Sequence, residues 1–396
     1  MQSLFKLDNP IQNYAWGSKT AIAELLGRPM PSSEPQAELW MGAHPKAPSM
    51  TIFNGRRCSL IELIQHDPIQ ILGADSVARF GRQLPFLFKA LAAATPLSIQ
   101  AHPSKREAQD GFARENQQQI AVNAPWRNYK DDNHKPESVC ALSPFWALFG
   151  FRPAGEIAAL LEQLCPVALS DPLRMLAQGG LKPFFQHLMA LDVERHRTAA
   201  VEALQRIHGS SVPEAEARWM IRLQESFPGD VGVLAPVMLN LVCLQPGQGL
   251  NVSAGVLHAY LEGVGMELMA NSDNVIRGGL TAKHVDVSEL LRVLSFGEGR
   301  PEILRPRPVS PTESLYPPFA DEFKLSLIQV KHAIAHQAKA VQGAEILFCT
   351  QGRANVTPPT QTPSMAMAKG EAVLVAAHVP GYRIDGHAVI YRAAVA

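Results

Sequence analysis

Cysteine is scarce and unpaired in this sequence of 396 residues. Its five cysteines, Cys58, Cys140, Cys165, Cys243 and Cys349, are odd in number, far apart and never spaced as Cys-x-x-Cys. That excludes a disulfide scaffold and a thiolate metal finger, and it fits reduced thiols in a cytoplasmic protein. Net charge is also missing, since 36 Lys and Arg offset 36 Asp and Glu. A neutral chain has no field to gather nucleic acid or an anionic membrane, so any bound anion must be met by a few local cations. Long apolar runs are absent too: Asn240 and Pro246 interrupt the best candidate, and the first eight residues contain no unbroken apolar core of the secretory kind. What remains is a soluble globular composition, 46% hydrophobic, long enough for two or three domains.

Helical periodicity concentrates between Gly155 and Phe227, where Ile157, Leu160, Leu161 and Leu164 share a face and Ala203, Leu204 and Ile207 do so later. Pro172, Pro183, Pro213 and Pro228 punctuate this block, which predicts a compact bundle without chemically useful residues. The flanks carry short apolar runs broken by Pro and Gly, such as Leu84–Lys89, Met238–Leu244 and Val373–Ala377, and read as strands. Two of these stretches repeat one rhythm of glycine turn, strand, small-residue turn and strand. One follows Pro246-Gly247 and the other Lys369-Gly370. That rhythm predicts two cupin-like jelly-roll domains around a small helical insertion. The expected division is 1–150 and 231–300 for the catalytic domain, 151–230 for the helices and 301–396 for a C-terminal domain, with Gly299–Pro308 as linker. Laying Gly247 on Gly370 sets His258 opposite Gly381, which predicts a metal-free second domain.

Three segments carry ligand chemistry. In Thr95–Pro103, read as a strand, alternation puts Leu97, Ile99 and Ala101 on one face and Ser98, Gln100 and His102 on the other. In His134–Cys140, Lys135 and Glu137 share a face, and His258 lies just beyond a turn. Two imidazoles, a carboxylate and an amide oxygen suit a hard or borderline dication, zinc first. A weakly donating amide leaves such a metal electrophilic, as catalysis needs. A fourth segment, Met266–Thr281, is a polar loop closed by Arg277-Gly278-Gly279, whose guanidinium suits a phosphate or a developing oxyanion.

These residues sit in motifs that together resemble one family. Asn13–Ser18, Ala37–Pro45, Pro85–Lys89, Pro96–Pro103, Asp132–Glu137, His258–Tyr260 and Asn271–Thr281 resemble, in order, the motifs of type I mannose-6-phosphate isomerases. Leu257 stands where that family often has proline, and Asn251 where an apolar strand residue is usual. The resemblance implies one zinc ion per chain on Gln100, His102, Glu137 and His258, with Arg277 as the active-site arginine. It implies interconversion of mannose 6-phosphate and fructose 6-phosphate through a cis-enediol, serving mannose and GDP-mannose metabolism, in a monomer without nucleic-acid or membrane partners. The proton carrier stays open among Lys135, Lys89, His134, Glu267 and Asp273. Substrate contacts are expected from Ser98, Lys89, Lys135 and Glu267, with Lys135, Arg277 and Ser98 on the phosphate. Trp16 and Trp40 either stack on sugar or close the core. A metal-binding sugar-phosphate sensor without catalysis is the competing reading, and a zinc hydrolase the third.

Overall fold

The computed structural model describes residues 2–339, 341–359 and 363–396. Two large antiparallel sheets dominate, one of ten strands and one of nine. The ten-stranded sheet is organised by one long strand, His258–Ala270. Its first half pairs with Phe145–Phe151 and its second half with Phe86–Ala93 and Glu137–Ala141. The change of partner falls at Gly263, whose φ is +133°. A Cβ there would lie 2.6 Å from the Pro144 carbonyl oxygen, so only glycine lets the strand pass from one face of the sheet to the other.

The C-terminal sheet repeats this plan. Gly370 has φ +85° where Gly247 has +84°, and Gly386 has +132° where Gly263 has +133°. Both pairs are separated by the same interval in sequence, and each sheet is spanned by a strand of 13 residues, His258–Ala270 in one and Tyr382–Ala394 in the other. The architecture is thus mainly β with a helical insertion, as expected from the sequence rhythm. The interior of the second sheet is filled by apolar side chains that include Val330, Leu347, Val356, Tyr382 and Ile390.

Two details differ from the expected division of the chain. The N-terminal strand Leu4–Leu7 adds to the C-terminal sheet, pairing with Ala372–Val375. The Gly299–Pro308 stretch is tied down rather than free: Leu304 is buried and bridges Gly249, and Arg300 pairs with Glu156 at 2.6 Å. Behind the sheets one apolar core runs through both, joining Phe86, Phe88 and Met266 to Phe323, Phe348 and Tyr391. A continuous core of this kind makes the two β-units a single packed body.

The insertion forms five helices between Ala154 and Ser226, packed around Trp219, Phe184 and Leu161. The four prolines that punctuate the sequence fall at helix starts or ends: Pro172 and Pro183 lie in first turns, Pro213 precedes Glu214–Ser226 and Pro228 follows it. In those places the missing N–H costs no helical bond.

Gly386→Ala should destabilise the C-terminal sheet by about 1–3 kcal/mol, because a Cβ at this positive φ meets the Arg353 carbonyl oxygen at 2.5 Å. A urea unfolding curve with an unshifted midpoint would contradict this reading of the bend.

Candidate active site

Strand register assembles the centre. The short strand Ile99–Ala101 lies between His258–Ala270 and Ile276–Gly279, and Gln100 sits opposite His258 on one side and Arg277 on the other. Directly opposed residues in a sheet share a face, so these three side chains are neighbours by backbone geometry alone. Ile99 and Ala101 go the other way, into the core beneath the helices. His102 follows as the chain leaves the strand at Pro103, and Glu137 opens Glu137–Ala141 opposite Met269.

Both imidazoles are oriented from behind. His102 Nδ1 donates to the Asn274 carbonyl at 2.8 Å, and His258 Nδ1 to the Val256 carbonyl at 2.9 Å. A carbonyl only accepts, so each Nδ1 carries the proton and each Nε2 offers its lone pair inward. There His102 Nε2 lies 3.3 Å and His258 Nε2 3.6 Å from the Glu137 carboxylate. The Gln100 amide is 3.4 Å from His258 Nε2. Rotation of that amide by a half-turn turns its oxygen to the same point.

The donor set fits a cation on its own terms. His102 is 0% and Glu137 2% exposed, yet His102 Nε2 and Glu137 Oε2 have no hydrogen-bond partner. Orphaned acceptors in such a place are costly, and a dication is the partner that satisfies them together. His102, Glu137 and His258 form a group whose ligand atoms all lie within 4.8 Å of one another. Burial pushes the His102 imidazolium down to about 4, so the ring is neutral at physiological pH, as a ligand must be. Burial works to raise Glu137, but the Lys135 ammonium, then His102, hold it well below the usual carboxylate range.

This centre floors a cleft of about 670 Å³. Ser98, Lys89, Lys135, Glu267, Asp273 and Arg277 all line it, together with Gln100 and Glu137. Lys135 Nζ stands 3.1 Å from Glu137. Arg277 is half-buried and has no ion-pair partner among the described residues, which leaves its guanidinium free to take an anion.

His134 is not brought to the cleft. Its Nε2 meets Glu322 of the C-terminal unit at 2.6 Å, on the far side of the segment from Lys135. Lys89 lines the cleft, where burial acts to lower its pKa but Glu267 at 2.9 Å and Glu38 at 3.6 Å outweigh it and raise the ammonium above its ordinary value. A cation held by two buried carboxylates is a poor proton carrier. Asp273 is pulled below its usual range despite burial, chiefly by a hydrogen bond from Lys46 at 2.8 Å, which makes it a fixed anion. Trp40 lines the cleft at 5% exposure, with its indole N–H donating to Glu38 and its ring beside Lys89.

Sequence reasoning missed Glu38, Lys46, Lys283 and Tyr260. The Tyr260 hydroxyl is buried without a hydrogen-bond partner, and burial with the charges of Glu267, Glu137 and Glu38 holds it protonated. Only its place two residues after His258, on the same strand face, could have signalled it. Phe227, the last residue of the helical block, also reaches the cleft, so the insertion is not as remote from the site as its composition suggests.

The family description phosphomannose isomerase type I, catalytic domain, matches residues 4–154. Mannose-6-phosphate isomerase of Escherichia coli (strain K12) is 42% identical, over 98% of this chain and 98% of its own length. The chain belongs to the mannose-6-phosphate isomerase family. The Homo sapiens mannose-6-phosphate isomerase is 32% identical over 95% of this chain and 94% of its own. A solved variant of phosphomannose isomerase from Salmonella typhimurium superposes with a TM-score of 0.91 at 38% identity, covering 99% of each chain. A zinc-bound mannose 6-phosphate isomerase structure gives the same TM-score of 0.91 at 38% identity, again over 99% of each chain.

Metal analysis of purified variants checks the assignment. His102→Ala should lose bound zinc, whereas Ser98→Ala, which alters the cleft but no donor, should keep it. Equal metal content in the two would refute the four-ligand centre.

Proposed function

We propose that this chain is a zinc-dependent aldose-ketose isomerase that interconverts mannose 6-phosphate and fructose 6-phosphate. The observation that carries the reading is the register Arg277, Gln100, His258 across three adjacent strands, with orphaned His102 and Glu137 atoms beside it. Gln100, His102, Glu137 and His258 would hold the ion, which when bound would supply positive charge to stabilise developing negative charge on oxygen and would disfavour the protonated form of a nearby amine.

The hard step is loss of a proton from the carbon next to the carbonyl. The electron pair left behind gives a cis-enediolate with charge spread over two neighbouring oxygens, and return of the proton to the adjacent carbon completes the isomerisation. Lys135 is the carrier we assign: it lines the cleft, and its one carboxylate partner, Glu137, is itself one of the four donors, whereas Lys89 is held by two buried carboxylates, Asp273 by Lys46, and His134 faces Glu322. Arg277, unpaired and partly desolvated, opposes the developing negative charge or the phosphate. Ser98 adds a hydroxyl donor on the same wall. The Lys89–Glu267 pair holds the cleft floor rigid and gives the sugar hydroxyls a donor and an acceptor in fixed places. A sugar-phosphate sensor could use Arg277 on the phosphate but would need no proton-carrying lysine beside a metal carboxylate.

The expected product role is supply of mannose 6-phosphate to mannose and GDP-mannose metabolism. Among the described residues no helix is long and apolar enough to cross a membrane.

Purified protein given mannose 6-phosphate should form fructose 6-phosphate, and a chelator should stop it; conversion indifferent to chelation would sink the metal mechanism, and no conversion the isomerase itself. Arg277→Ala and Lys135→Met should each lower kcat by about a hundredfold or more with zinc still bound, read by coupled assay alongside metal content. Wild-type turnover in either would remove that residue from its role.

A further inference from the structure

The segment that delivers Lys135 and Glu137 to the cleft is anchored unevenly. On one side, Asn133 is pinned to the 271–274 loop: its Nδ2 donates to the Asn271 carbonyl at 2.9 Å, and its own carbonyl accepts from Asn274 Nδ2 at 2.8 Å. On the other, the Pro136 carbonyl accepts the Ala270 N–H at 3.1 Å, and the strand proper begins only at Glu137. Between them, His134 and Lys135 take part in no backbone hydrogen bond among the described residues, and Pro136 has no N–H to offer. Two residues without ladder bonds are free to rotate unless a side chain holds them.

That side chain is His134, and its partner comes from the other β-unit. His134 Nε2 meets Glu322 Oε1 at 2.6 Å. Glu322 is 8% exposed and stands on a stretch fixed at both ends. Tyr316 donates its hydroxyl to the Gly247 carbonyl at 2.9 Å, and Phe323 is 2% exposed in the core shared by the two sheets. Glu322 thus sits in an irregular stretch between two fixed points, Tyr316 and Phe323, and its buried carboxylate meets His134 where the 134–135 backbone makes no hydrogen bond of its own. Two steps along from His134 in side-chain alternation lies Pro136; the neighbour on the opposite side is Lys135, whose Nζ reaches Glu137 at 3.1 Å. Loss of the Glu322 contact would remove the one side-chain tether on His134 and leave the 134–135 backbone, and with it Lys135, less firmly placed between the Asn133 and Pro136 anchors.

We infer that Glu322, contributed by the C-terminal unit, is a positioning residue of the active site, acting through His134 to set where Lys135 and Glu137 stand. The second β-unit then helps to position the active site although none of its described residues lines the cleft. This rests on the isomerase reading for its kinetic assay, and a spectroscopic arm keeps the two separable.

The test uses full-length, metal-loaded protein with four changes: Glu322→Ala, Glu322→Gln, His134→Ala, and the Glu322→Ala/His134→Ala double. Glu322→Ala and His134→Ala should each lower kcat about tenfold while KM stays within about twofold and zinc stays near one per chain, the scale usual for groups that orient a metal site from behind. The double variant should be no worse than either single, because both remove one link. Glu322→Gln, whose amide oxygen can still accept the Nε2–H, should recover most of the wild-type kcat. In the cobalt-substituted protein, Glu322→Ala should shift the visible absorption bands and Glu322→Gln should not. Wild-type kcat in Glu322→Ala, additive losses in the double, or activity falling only in step with zinc content would overturn the inference. An inactive wild type would instead sink the isomerase reading, and the cobalt spectra would then decide the positioning role alone.

Discussion

A carboxylate and two imidazoles have been taken out of water in this protein, and little else in the site makes sense without that. Glu137 and His102 keep lone pairs with no hydrogen to receive them. Groups of this kind are tolerated in a protein interior only when something with concentrated positive charge resolves them. Lys135 does so in part, and a dication does so completely. The rest of the cleft follows the same electrostatics: every buried carboxylate there has a nearby cation, Glu267 and Glu38 sharing Lys89 and Asp273 taking Lys46. Arg277 and Lys283 line the cleft without a carboxylate partner among the described residues, and an anionic substrate is the chemistry that suits them.

Antiparallel register supplies the precision. Because opposed residues on neighbouring strands project from the same face, Arg277, Gln100 and His258 are fixed relative to one another by ladder hydrogen bonds, before any side-chain packing is considered. The same holds for Trp40, Lys89 and Glu267 on the adjoining strands. Loops then add what strands cannot, since the 130–133 and 271–274 segments interlock through Asn274 and Asp131 and carry the carbonyl that orients His102. Rigid strands hold the donors and hydrogen-bonded loops aim them.

The two β-units diverged in content while keeping a common frame. Matching positive-φ glycines bend both sheets at equivalent places, yet one interior gathers polar donors and the other fills with Val, Leu and Ile. What the second unit contributes instead is mass and stiffness behind the first, through the shared core and the contacts of Tyr316 and Glu322.

Read alone, the chain already specified the chemical inventory and the periodicities: two β-repeats keyed by Gly247 and Gly370, a helical block bounded by prolines, and two imidazoles, an amide and a carboxylate on segments whose alternation puts each side chain on a definite face. Such features are local, so spacing reveals them. Partnership is not local. That His134 turns to Glu322, that Lys89 is bound to Glu267 and Glu38 and so raised in pKa, that Asp273 belongs to Lys46, and that Leu4–Leu7 completes the C-terminal sheet all depend on which distant stretches pack together. A titratable group's charge state depends on burial and on neighbours within a few ångströms, and those are set only when the sheets close on one another.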